Sequence, residues 1–178
     1  MNLSSGEKAQ MDEIAGRIRD LRKFLDEHTL FPGDGLEGCY AFLTAIKRIQ
    51  GNSHNDVSFV ATLMAKRYLQ QRFDLREFDA AAKPQSAPGL DIDVRTSSDE
   101  RVVGEIKTTI PYGRDDLGAQ QKTTFRKDFA KLRDAVADHR FMFVTEPATY
   151  EILLKTRYLD QLRGVGIVDL SSGREHVA

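Results

Sequence analysis

The stretch APGLDIDVRTSSDERVVGEIKTTIPY, Ala87 to Tyr112, decides how the chain is read. It holds two strand-like pieces, Leu90 to Val94 and Arg101 to Thr109, separated by the polar turn TSSDE. Strand side chains alternate faces, so Glu105 and Lys107 share one face while Gly104, Ile106 and Thr108 take the other, with Ile106 entering the core. Asp91 and Asp93 likewise share a face, opposite Leu90 and Ile92. Pairing the strands can bring Asp91 beside Glu105, and carboxylates so close are unfavourable unless something positive stands between them. A divalent cation meets that need: the two carboxylates, the Ile106 carbonyl and waters can complete an octahedral Mg²⁺ shell. Lys107 would then stabilise developing phosphate charge or orient an attacking water. The competing reading is a solvated hairpin whose charges face water.

Working outward, NDVSFVATLMAKRYLQQRF predicts a helix capped by Asn55 or Asp56, with Val57, Val60, Ala61, Met64 and Tyr68 on one face. Phe59, Leu63 and Leu69 widen the apolar surface, as in a helix buried on more than one side. AAAKPQSAPG then reads as a small-residue and proline linker. Beyond Pro111, the loop YGRDDLG lets Asp116 cap a helix over Leu117 to Ala137 with the stripe Phe125, Phe129, Leu132 and Val136. RFMFVT, Arg140 to Thr145, is the continuous apolar run of a central strand. A helix over Ala148 to Tyr158 and a strand over Gly164 to Leu170 follow. Upstream, Met11, Ile14, Ile18, Leu21 and Leu25 form a helical seam. The turn FPGDGLEG, Phe31 to Gly38, ends it, and a second helix spans Leu36 to Ile49. The expected class is α/β, a mixed sheet with helices on both faces.

Composition narrows the function classes without choosing one. The 178 residues suit one compact domain, and 40% hydrophobic with 30% charged residues is a globular balance. No apolar run approaches the length of a membrane span, and the first residues lack a signal-peptide segment, so neither membrane insertion nor export is expected. The single Cys39 excludes an intrachain disulfide and a cysteine-rich zinc site. It reads as a buried, inert thiol in a cytoplasmic protein. With 26 basic and 27 acidic residues, nucleic-acid binding must come from local patches. Neither a GxxxxGK[ST] nor a GxGxxG run occurs, which argues against a nucleotide cofactor.

PGLDI followed by GEIK resembles the PD-(D/E)XK signature of the restriction-endonuclease-like nuclease superfamily, in which an acid ends one strand and an acid and lysine lie on the next. That core runs helix, three strands, helix, strand, and Asn55 to Thr145 can be laid onto it. The extra strand it needs before Asp91 would fall in FDAAAKPQ, and Pro88 precedes Asp91 by three, so only the acid carries over. The resemblance implies Asp91 and Glu105 as metal ligands and Lys107 as the catalytic lysine. It implies a Mg²⁺-dependent DNA endonuclease (Mn²⁺ able to substitute) acting on double-stranded DNA, as a restriction enzyme and homodimer. Residues 1–52 would be a helical extension for dimerisation or DNA contact and 53–178 the nuclease core, together one compact domain. Gln121 followed four residues on by Phe125 does not support the RecB-like subgroup, which carries a tyrosine there.

In KTTFRKDFAKLR, the residues Lys122, Arg126, Lys127, Lys131 and Arg133 suit phosphate contacts, and Gln121 and Lys122 border the apolar stripe. A solvated helix face, with Asp128 offsetting some charge, reads equally well. Asp56 is a third candidate acid for the metal site or a helix cap, and Asp93 is the rival ligand to Asp91. His54, in SHND, lacks a second histidine nearby and reads as part of a helix start. Two alternatives stand beside the restriction enzyme: a repair, recombination or mobile-element nuclease of the same fold, and a non-catalytic DNA- or protein-binding module.

Overall fold

The computed structural model describes residues 2–30, 33, 35–83, 87–113 and 115–178. It resolves into two compact units, Asn2–Asp56 and Val57–Ala178. Helices α1 (Ser5–Glu27), α2 (Gly35–Gln50) and α3 (Ser53–Arg72) come first, α3 beginning in one unit and running into the other.

In the N-terminal unit, α1 opens on a capping box: Ser4 Oγ accepts from the Glu7 amide at 3.0 Å, and Glu7 Oε2 accepts from the Ser4 amide at 2.9 Å. Phe24 meets Phe42 at 5.3 Å between ring centroids, holding α1 to α2. Ile18 and Leu25 of the expected seam stay exposed. Cys39 is half-buried where a buried thiol was expected. Of the turn expected at Phe31 to Gly38, Phe31, Pro32 and Asp34 lie outside the described residues. The cap expected at Asn55 or Asp56 is instead Asn52, whose side-chain oxygen accepts from the Asn55 amide at 3.3 Å. Asp56 pairs with Arg17 at 2.6 Å.

The larger unit is built on a mixed sheet. Its strands are β1 (Ile92–Arg95), β2 (Arg101–Lys107), β3 (His139–Val144), β4 (Gly166–Asp169) and β5 (Glu175–Val177), ordered β1-β2-β3-β4-β5. β2, β3 and β4 are parallel, and β1 and β5 add antiparallel edges. β3 is central and fully buried from Phe141 on, as its apolar run predicts. Helices α4 (Ala119–Asp134), α5 (Pro147–Leu153) and α6 (Thr156–Leu159) complete the chain. On one face of the sheet, Val103, Met142, Val144 and Ile167 pack with Phe125, Phe129 and Leu132 of α4 and with Ile152 and Tyr158. On the other, Ile92, Val102, Phe141, Phe143 and Val168 pack with Ala65 and Leu69 of α3. The class is α/β with helices on both faces.

Several expectations are corrected. Val57 is exposed because the buried face of α3 excludes it, and Val136 because α4 ends at Asp134, with Ala135 already extended, before the expected stripe reaches it. α4 starts after Gly118 as N-cap, while Asp116 is drawn away to Lys122, Arg157 and the Tyr158 hydroxyl. The single helix expected over Ala148 to Tyr158 is two, because Lys155 takes an extended backbone (ψ 138°) that no helix can continue. No strand occurs among the described residues of FDAAAKPQ, Pro84 and Gln85 lying outside them. An isolated bridge between Leu75 and Thr96 stands beside β1 instead. β5, a three-residue edge strand, was not anticipated. No helix among the described residues is long and apolar enough to cross a membrane.

Candidate active site

The β1–β2 register is the first determinant of the site. Ile92 faces Gly104 as the outermost pair, so one further step sets Asp91 opposite Glu105. Asp91 is held there: its Oδ2 accepts from the Ile106 amide at 2.8 Å, an acceptor just beyond the ladder. Gly89 precedes it at φ +98°, a backbone that residues with a Cβ rarely adopt, so the turn into β1 depends on glycine. The acids therefore stand where the parallel strands β2 and β3 end, the edge at which open α/β sheets commonly place their ligands.

Glu105 and Lys107 lie on the face of β2 that α4 covers, the face shared with Val103. Glu105 is only 1% exposed. Burial, reinforced by the Asp91 and Asp128 carboxylates, pushes its pKa up to about 8 against the opposing pull of Lys131. Lys107 reaches the Oδ2 of Asp128 at 2.7 Å, both side chains largely buried, and lies 5.9 Å from the Phe125 ring centroid. That approach is off the angle a hydrogen bond needs, so the buried Oδ2 keeps an unused acceptor position. Lys131, three residues further along α4, sits 3.1 Å from Glu105 Oε1, 3.1 Å from Asp128 Oδ1 and 3.3 Å from the Gly89 carbonyl. Burial pulls the Lys131 pKa down, but its bonds to Glu105 and Asp128 outweigh that and raise it.

The structure thus brings Asp91, Glu105 and Lys107 to one end of the sheet and adds Asp128 and Lys131 from α4. The sequence signal for Asp128 was its spacing: it lies three residues after Phe125 and one before Phe129, inside the buried stripe and not on its solvated flank. Asp93, the rival ligand, is committed elsewhere. Its carboxylate takes two hydrogen bonds from Arg101, at 2.9 and 2.7 Å, which lower its pKa.

The expected DNA contacts divide. Arg126 and Lys127 project into solvent from α4. Gln121 is spent on the loop before the helix: its Oε1 accepts from Gly118 and Tyr112, and its Nε2 donates to the Ile110 carbonyl. Lys122 pairs with Asp116 at 2.5 Å. There, despite burial, the Lys122 and Tyr158 hydrogen bonds hold the Asp116 pKa down to about 2.

Among the described residues, no group of three or more His, Cys, Asp and Glu side chains closes into a ready-made metal cage. The donor set nonetheless fits a hard cation in kind, since carboxylate and backbone oxygens are what Mg²⁺ selects. Comparison with protein-family models, curated proteins and solved structures gives no match.

Proposed function

We propose that this chain is a metal-dependent endodeoxyribonuclease of the PD-(D/E)XK type, with a restriction-endonuclease-like core. The observation that carries the reading is the meeting of Asp91, Glu105 and Lys107 at one end of the sheet, Glu105 almost wholly buried beside a second carboxylate. Carboxylates gathered in this way, Glu105 and Asp128 buried and Asp91 exposed beside them, are a poor stability device and a good cation seat. Asp91, Glu105 and the Ile106 carbonyl would hold Mg²⁺, which when bound supplies Lewis-acid polarisation of the phosphate and an acidified water.

The protein's own groups do the remaining work. Lys107 presents a fixed positive charge beside the acids, placed to meet negative charge developing on a phosphoryl oxygen. Asp128 positions Lys107 by drawing its ammonium toward α4. Arg126 and Lys127, exposed on the same helix, are suited to backbone phosphates and give no base readout. A second copy of the chain would let two sites cut two strands.

Incubation of plasmid and bacteriophage DNA with Mg²⁺ tests the proposal. Discrete fragments indicate a sequence-specific restriction enzyme, a smear a nonspecific nuclease of the same fold, and intact DNA a non-catalytic module. If Lys107→Ala and Asp91→Ala cleave as fast as the parent protein, the assigned residues are wrong.

A further inference from the structure

Lys131 was grouped in sequence with solvent-facing phosphate binders, yet its ammonium is turned into the acid cluster. An ammonium has three N–H donors, and here three oxygens stand near it: Glu105 Oε1, Asp128 Oδ1 and the Gly89 carbonyl. Two carboxylates and a carbonyl are also a conventional partial shell for a hard divalent cation. The lysine and the cation proposed for Asp91, Glu105 and the Ile106 carbonyl therefore compete at Glu105, the donor common to both sets.

We propose that Lys131 is a tethered resident cation of this site, and that a divalent metal binds by expelling its ammonium. The inference rests on the nuclease reading only in expecting a metal at these acids. Three features of the cluster favour exchange over permanent pairing. Glu105 and Asp128 are buried, so neither can rotate out to water to relieve its charge. The Lys131 side chain is 43% exposed, so the ammonium can swing into solvent on its flexible stem. Once the acids are ionised, as a bound cation requires, the three carboxylates Asp91, Glu105 and Asp128 outnumber the ammoniums of Lys107 and Lys131 by one. Exchanging the single charge of Lys131 for a divalent one removes that excess, while Lys107 keeps its place on Asp128.

Lys131 thereby acts as a positioning residue: it keeps the acids together before metal arrives and weakens metal binding by competing with it. Mn²⁺ and Mg²⁺ binding to the full chain, followed by titration calorimetry, tests this without reference to cleavage. Lys131→Met should bind Mn²⁺ roughly tenfold tighter than the parent, and Lys131→Arg, which keeps the charge, should stay near the parent value. Equal or weaker binding by Lys131→Met, or no binding by either protein, overturns the proposal. A second measurement needs no variant. Acylation of Lys131 by an amine-reactive ester, read by mass spectrometry, should speed up severalfold when the parent protein is saturated with Mn²⁺. An unchanged rate refutes it. Metal-dependent release of Lys131 in a protein that cuts no DNA would sink the nuclease reading and leave this one standing. Cleavage with an immobile Lys131 would do the reverse.

Discussion

The sharpest test of the site's internal logic is the pairing of Lys107 with Asp128. Both side chains are largely buried, 16% and 6% exposed, and the ammonium lies 2.7 Å from Oδ2. Removing one partner of such a pair strands the other in a low-dielectric setting, which typically costs about 3–5 kcal/mol. Lys131 still touches Asp128 Oδ1, so part of that charge stays compensated, and Lys107→Met should cost nearer about 3 kcal/mol. Asp128→Leu removes the acid shared by both lysines and should cost a similar amount alone. The double variant leaves no stranded charge at that position, and its loss should fall short of the sum by about 1–3 kcal/mol. Urea unfolding of the four proteins in EDTA, followed by far-ultraviolet circular dichroism, gives the coupling directly. Additivity within about 0.5 kcal/mol would mean that Asp128 does not hold Lys107, and the positioning role assigned to it would fall.

Three further outcomes are expected. Glu105 binds its proton more tightly folded than unfolded, so the stability this contributes is full below pH 4.5 and is lost as pH rises through about 8. In EDTA, Glu105→Gln should therefore flatten the decline of unfolding free energy between pH 4.5 and about 8, a gain of up to about 5 kcal/mol once pH exceeds 8; an unchanged slope refutes the assignment. Asp169 behaves oppositely. Despite burial, Ser171, Ser172 and Arg174 hold its pKa down to about 2, so its contribution exists above 3.8 and disappears as pH falls to 2. Asp169→Asn should lower stability by about 2 kcal/mol at pH 7 and by little near pH 2, read from denaturation midpoints. Gly166→Ala would place a Cβ 2.9 Å from the Phe141 ring, and the overpacking should cost about 1–3 kcal/mol, measured as a fall in Tm.

Much of this architecture was legible because its signals are periodic. Alternation placed Glu105 and Lys107 on one face of β2, and the continuous apolar run of Phe141 to Val144 marked a central strand. What escaped depended on tertiary approach. Lys131 sits in a basic run that reads as solvated, and only the docking of α4 over β2 turns it inward. Asp128 was visible as a carboxylate inside an apolar stripe, but the stripe was counted by its hydrophobes alone. β5 has three residues, Glu175 half-buried and His176 and Val177 exposed, too little for a propensity signal. The break between α5 and α6 carries no glycine or proline, so nothing in its local chemistry announces it.

One consequence of the β2–α4–β3 crossover concerns how the cluster could come apart. Every charged group of the site, Asp91, Glu105, Lys107, Asp128 and Lys131, lies on a hairpin and the helix that follows it. Fraying at the far edge, where β5 adds only three residues, leaves those groups in register. Lifting α4 alone removes Asp128 and Lys131 together and opens Glu105 to water. Local opening is graded along such a sheet, so the persistence of the charged cluster is set by the anchorage of one helix. Phe125, Phe129 and Leu132 are the residues that hold it down.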